Sequence, residues 1–230
     1  MKDIERRQFW DEKILKWEGD KYDKVKMGVR RLLDVNQSLK ARMDIASGVL
    51  KKIAKNRTIL EIGCGTARLL PVLIGSGAKK YIGIDVSKVA IERARSRVKA
   101  LGADSMAEFH QADAGSLQDT TTDICFSLGL LDWLDPDTIS QMIRRIHCQY
   151  YLHSFSERRP SLKLLLHRLY VYCLYGRRTG SYRPRYYSSH QMVEIFQSCY
   201  GAPPQCYRSR RLSFGGFVFK LPNGVDVQHE

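Results

Sequence analysis

Short apolar runs alternate with helical stretches from Arg57 onward, and this alternation constrains the fold more than any other feature of the chain. "TILEIG" (58–63) reads as a strand and "ARLLPVLIGSG" (67–77) as a helix ended by glycine. "KYIGIDVS" (80–87) is a strand, and "KVAIERARSRVKALG" (88–102) is its helix, closed by Gly102. "AEFHQAD" (107–113) and "TDICFSL" (122–128) are further strands. "DPDTISQMIRRIHCQ" (135–149) is a helix with Asp135 as N-cap and Pro136 at its first position. "YYLHSFS" (150–156) is the fifth strand. Strands separated by helices pair in parallel through right-handed crossovers, so the expected class is α/β and doubly wound. The tail breaks the pattern: "PPQCYRSRRLSFGGFVFKLP" (203–222) predicts an antiparallel hairpin at a sheet edge. Apolar stripes before residue 55 predict N-terminal helices, one of them carrying Met43, Ile45, Ala46, Val49, Leu50 and Ile53.

The first strand enters its helix through Gly63-Cys64-Gly65. Such a turn lets backbone approach a ligand closely and aims free N–H groups at it. A dinucleotide fingerprint wants a third small residue, where this chain has Arg68, so pyrophosphate is disfavoured. Glu61, just inside the strand, repels phosphate and suits a cationic ligand. Asp85 ends the second strand at the spacing from which an acid accepts hydrogen bonds from a ribose diol, and Asp113 ends the third. Three acids at the carboxyl ends of three successive strands face one crevice. A ribose, an exocyclic amine and a sulfonium or amino group would satisfy them.

"LEIGCGTARLL", "YIGIDVS", "FHQADAGSL" and "TDICFSLGLLDWL" resemble motifs I to IV of the class I S-adenosylmethionine-dependent methyltransferases. The resemblance runs from about residue 57 to 155 and extends through the terminal hairpin. It implies a mostly parallel seven-stranded sheet with an antiparallel C-terminal hairpin strand, N-terminal helices and a helical lid insert. It implies S-adenosyl-L-methionine as cofactor, with no metal. Gly63, Cys64 and Gly65 would pass beneath the methionine part, and Glu61 would orient the turn and the amino group. Asp85 would hold both ribose hydroxyls and Val86 would pack on the adenine. Asp113 would meet the adenine amine, with the Ala114 N–H near a ring nitrogen. Ser127, Leu128 and Gly129 would line the methyl end.

Methyl transfer from a sulfonium is an in-line displacement that needs alignment and exclusion of water. A hydroxyl acceptor gains from a general base, whereas a carboxylate needs none. The base candidates are His153 near the end of the fifth strand, His147 late in a helix, and His110. Asp132, in "LGLLDWLD", is a candidate for positioning an acceptor hydroxyl. No [DNS]-P-P-[YF] follows the fourth strand, where amino-methylating nucleic-acid enzymes place it; "SLGL" stands there.

The organisation expected is an N-terminal helical cap over 1–55 and a cofactor-binding domain over 56–230, with an acceptor insert at 156–187. Within the insert, "SLKLLLHRLYVYCLYG" (161–176) is an apolar helix candidate followed by a Tyr- and Arg-rich loop. Tyrosine walls and arginine forks suit a small anionic acceptor, acidic or phosphorylated, such as a sugar nucleotide or glycan precursor. Three other readings stand beside it, one of them a non-enzymatic cofactor-binding partner subunit, against which the intact set of Glu61, Gly63, Gly65, Asp85 and Asp113 argues. An RNA methyltransferase would use the arginines on phosphates, and a membrane-surface enzyme would dock its apolar helix and act on a lipid-linked substrate. The net charge of +14 allows an anionic partner of any of these kinds and is spread along the chain rather than blocked. Six scattered cysteines without CxxC spacing, no secretory signal and no run of about 18 apolar residues predict reduced thiols and a cytoplasmic protein.

Overall fold

The computed structural model describes residues 7–12, 35–158, 184–208 and 215–227. Residues 7–12 are helical. The main elements follow in the order α1 (Val35–Ile53), β1 (Thr58–Ile62), α2 (Leu70–Gly75), β2 (Lys80–Asp85), α3 (Lys88–Ala100), β3 (Ala107–Gln111), β4 (Thr120–Ser127), α4 (Pro136–Arg144), β5 (Ile146–Ser156), α5 (Ser189–Tyr200), β6 (Gln205–Arg208) and β7 (Gly215–Lys220). They build one seven-stranded sheet in the order β3-β2-β1-β4-β5-β7-β6. β1 to β5 run parallel, and β7 lies antiparallel between β5 and β6.

The alternation of side chains along each strand sorts the core into two layers. Ile59, Tyr81, Phe109, Phe126 and Leu152 face α1, α2 and α3. Leu60, Ile62, Cys125, Tyr151 and Phe155 face α4 and α5. The chain winds outward from β1 through β2 to β3, then returns to β4 on the other side. The carboxyl ends of β1 and β4 therefore flank a topological switch point, where open α/β sheets place ligands.

Three boundaries differ from the sequence reading. α2 begins at Leu70 rather than at Ala67, because Ala67 has φ +54, which no right-handed helix accommodates, and Pro71 sits in the first helical turn. α4 stops at Arg144, and β5 takes the residues from Ile146 onward by pairing Ile146, His147 and Cys148 with Thr120, Thr121 and Thr122. His147 therefore lies at the start of a strand, remote from the strand ends that flank the switch point. α1 runs unbroken over 19 residues with Gly48 inside it.

The predicted cap forms: the Asp135 carboxylate accepts from Thr138 N. Ser188 and Gln191 make a reciprocal capping box on α5. The insert expected at 156–187 is described only at its two ends. Arg158 N donates to Tyr187 O and Tyr187 N donates to Ser156 O, both at 2.9 Å. The apolar stretch 161–176 and most of the Tyr/Arg loop lie outside the described residues. No helix among the described residues is long and apolar enough to cross a membrane.

Candidate active site

The turn after β1 is tied to β2 by two backbone hydrogen bonds. Gly63 N and Cys64 N both donate to Ile84 O, at 2.7 and 3.0 Å, which ties the turn to the end of β2. Gly63 and Gly65 have φ of +70 and +52, the left-handed region that side chains disfavour. A Cβ on Gly63 would also meet Leu130 at 3.3 Å. Cys64 is buried, and its thiol packs over Gly83, where a Cβ would stand 3.0 Å from Sγ and 2.8 Å from the Phe109 ring.

Asp85 closes this turn onto the next one. One carboxylate oxygen accepts from Gly65 N at 2.8 Å and the other from Ser87 N at 2.9 Å. Burial raises its pKa, and the backbone N–H groups of Ser87 and Gly65 work against that rise. On the neighbouring strand Ala112 N donates to Asp85 O, so the end of β3 follows that of β2. Asp113 then caps a short turn by accepting from Gly115 N at 2.8 Å, with Ala114 buried behind it. Val86 is half-buried, and its carbonyl accepts from Gln111 Nε2. Ser127 ends β4, followed by the half-buried Leu128 and Gly129. The residues picked from the sequence thus stand side by side at the ends of β3, β2, β1 and β4.

Glu61 is 5% exposed and accepts a short hydrogen bond from the Tyr81 hydroxyl. Burial pushes its pKa up to about 8, the Tyr81 bond opposes this, and the nearby Asp85 charge adds to it. A raised pKa means the folded protein holds the proton more tightly than the unfolded chain. Its stabilising effect is complete below pH 4.5 and is lost as pH rises through about 8. Glu61→Gln keeps an acceptor for Tyr81 and removes the titration. The variant's melting temperature relative to wild type is therefore expected to rise across that window, read by thermal scans at stepped pH. A gap that stays flat with pH would refute the assignment.

The β4–β5 side of the switch point contains a buried polar cluster that the sequence did not announce. Arg42, from α1, is 2% exposed. Its Nη1 lies 3.0 Å from Asp132 Oδ2, and its Nη2 donates to Ser156 Oγ at 2.9 Å. Asp132 also accepts from Ser156 N and Oγ. Gly129 N donates to Ser154 Oγ at 2.8 Å, and Arg185 N donates to Asp132 O at 2.6 Å. Asp132, expected beside an acceptor hydroxyl, is thus ion-paired and joins α1, the β4 loop, the end of β5 and the returning insert.

His153 is likewise enclosed, at 1% exposure. It points to the α5 side of the sheet, 5.4 Å from Phe196 between ring centroids and stacked on Tyr151 at 6.0 Å. Its Nδ1 lies 2.9 Å from Ser127 Oγ. Burial lowers its pKa to about 3, so the imidazole is neutral at working pH. His110 is exposed near Glu108 on the edge strand β3.

The N-terminal segment supplies another group missed in the sequence. Asp11 Oδ1 accepts from Ser87 Oγ and, at 3.3 Å, from Val89 N. Phe9 and Trp10 pack on Trp133, with centroids 5.7 and 5.0 Å apart. Among the described residues no group of three or more His, Cys, Asp or Glu is arranged to hold a metal.

The donor set fits a cationic nucleoside. Two carboxylates held near each other by burial are relieved by positive charge and opposed by phosphate, and Asp85 offers oxygens to a diol. Residues 59–149 match the methyltransferase domain family. The fold is similar to magnesium protoporphyrin IX methyltransferase from Synechocystis, solved with bound S-adenosylhomocysteine: TM-score 0.67 and 17% identity, covering 93% of this chain and 96% of that one. An uncharacterized protein of Methanocaldococcus jannaschii is 39% identical over 67 residues, 28% of each chain. The mRNA cap guanine-N(7) methyltransferase of Schizosaccharomyces pombe is 26% identical over 127 residues, 53% of this chain and 32% of that one. The matches span less than a third of the length of these curated relatives. Residues 59–149 thus match a methyltransferase domain, and the chain has the fold of methyltransferases solved with bound S-adenosylmethionine or S-adenosylhomocysteine.

Proposed function

We propose that the protein methylates an oxygen, foremost a carboxylate oxygen, of a small acidic or phosphorylated acceptor. The observation that carries this reading is the state of the two groups expected to serve the acceptor. His153 is neutral, enclosed and bonded to Ser127, and Asp132 is committed to Arg42 and Ser156. Neither stands ready to take a proton from a hydroxyl or an amine, and a carboxylate asks for none.

When bound, the cofactor supplies an electrophilic methyl group on a good leaving group. The protein's part is placement. In this reading Asp85 holds the ribose diol, Asp113 and Ala114 meet the adenine edge, Val86 packs on the base, and Gly63 to Gly65 pass under the methionine part. Ser127 and Leu128 border the methyl group. Ser127 is itself oriented by His153, which makes the histidine a positioning residue. The similarity to a protein named for a porphyrin substrate supports a small-molecule acceptor.

The test is transfer of label from methyl-labelled cofactor to fractionated cell extract at two salt concentrations. The expected product is label in the small acidic fraction, released by mild base as an ester is. Label in RNA, lost as salt rises, would overturn the reading in favour of the cap-enzyme likeness. Label in a lipid fraction would overturn it in favour of a membrane-surface substrate.

A further inference from the structure

We propose that Trp10 and Asp11 belong to the cofactor site, forming with Phe9 and Trp133 a wall across the mouth of the crevice. The proposal rests on the assignment of S-adenosylmethionine to the ends of β1, β2 and β4, and it extends that site to residues far from any of its motifs.

The anchors of segment 7–12 define where it runs. At one end Asp11 reaches the turn after β2, taking hydrogen bonds from Ser87 Oγ and Val89 N. Ser87 is two residues from Asp85 and caps α3 by accepting from Ala90 N. Val89 N is one of the donors that a helix start leaves without a partner in its own helix, so Asp11 adds a second cap from outside. At the other end Phe9 and Trp10 pack on Trp133, in the 3-10 turn Leu131–Trp133 that follows β4. β1 lies between β2 and β4 in the sheet. A segment tied to both neighbours must cross in front of the Gly63–Gly65 turn.

Two strand spacings amount to about 10 Å, whereas Phe9 and Asp11 stand about 3 Å apart along the helix. The aromatic rings and the Asp11 side chain, reaching to opposite sides, make up the rest of the span. Asp11 also stands close enough to Asp85 for its charge to raise the Asp85 pKa. Each of its two contact regions borders a part of the cofactor: the Ser87 turn lies beside the ribose carboxylate, and Trp133 follows the strand end assigned to the methyl group. Two tryptophans in edge-to-face contact, with interplanar angle 82°, make a rigid apolar surface that keeps water from the sulfonium.

The deciding measurement is calorimetric affinity for S-adenosylmethionine and S-adenosylhomocysteine in the full chain. Trp10→Ala and Asp11→Ala are each expected to weaken binding about tenfold, a loss of about 1.4 kcal/mol. Glu12→Ala, at an exposed position of the same segment, is expected to leave it unchanged. Asp11→Asn keeps an acceptor oxygen and is expected to bind within about twofold of wild type. Trp10 and Trp133 are two of the chain's three tryptophans. In a Trp17→Phe background, cofactor addition is therefore expected to change the intrinsic emission. Wild-type affinity in both alanine variants overturns the proposal when Asp85→Ala has lost binding. A rise in acceptor KM alone overturns it in favour of an acceptor wall. Wild-type affinity in Asp85→Ala as well removes the cofactor assignment itself, and the proposal with it.

Discussion

Replacing Arg42 with alanine is expected to destabilise the fold by about 3–5 kcal/mol. The side chain is buried among Asp132, Ser154 and Ser156, with Nη1 at 3.0 Å from the carboxylate. Its removal leaves the Asp132 carboxylate, on a residue 8% exposed, facing among the described residues the Ser156 N–H and hydroxyl alone. The cost comes mostly from the stranded carboxylate, so it belongs to the partner as much as to Arg42. Arg42→Met together with Asp132→Asn removes both charges and is expected to recover a large part of the loss. Urea unfolding of the two singles and the double reads this as a coupling energy. A single-variant loss below about 1 kcal/mol would place the pair with exposed ion pairs and refute its role as the tie between α1 and β5.

Asp85→Ala is the second large effect, on binding first and stability second. The carboxylate bridges Gly65 N and Ser87 N and so holds the β1 and β2 turns at a fixed separation. Losing the ribose contacts and this bridge together is expected to weaken cofactor affinity at least about tenfold, or 1.4 kcal/mol. Two backbone donors left without their acceptor add a stability loss of about 1–3 kcal/mol. Asp85→Asn can serve one donor with its carbonyl oxygen but not both, so its affinity is expected to lie between those of Ala and wild type. Calorimetry showing the Ala variant at wild-type affinity would sink the ribose assignment.

The sheet was legible because its signals are local. β1, β2 and β4 each carry a short, largely buried apolar run (Ile59–Leu60, Tyr81–Ile84 and Ile124–Phe126), as strands covered on both faces do, and Asp135 announces its helix by capping chemistry. The β5 start was not local. "IHCQ" continues the helical rhythm of α4, and only pairing with Thr120–Thr122 draws it into the sheet. The three acids proposed for the cofactor were legible in position for the same reason as the strands: each lies at or just past a strand end, so strand order brings them together.

The acceptor side was less legible because its residues meet through packing between distant segments. Asp132 and His153 lie near the expected ends of strands, yet sequence could not say that 90 residues upstream an arginine would claim the first, or that Phe196 would cover the second. One signal was there. Arg42 falls on the stripe of Ile45, Ala46, Val49, Leu50 and Ile53 that α1 buries, and a lone arginine on a buried face asks for a buried acid. Asp11 gave no such sign, since an acid in "RRQFWDEK" reads as surface charge.

The pinned neck at the end of β5 has an evolutionary consequence. The bridge between Glu157 and Tyr187, with its flanking hydrogen bonds, closes the chain on itself before and after the intervening residues. The sheet therefore pays the entropy of joining those two ends once, in the neck, whatever lies between. A change of length between those two ends is then expected to leave the register of the sheet intact. Under the proposed function, selection could rewrite the segment to follow a new acceptor while the proposed cofactor site, built from other strand ends, keeps its own history.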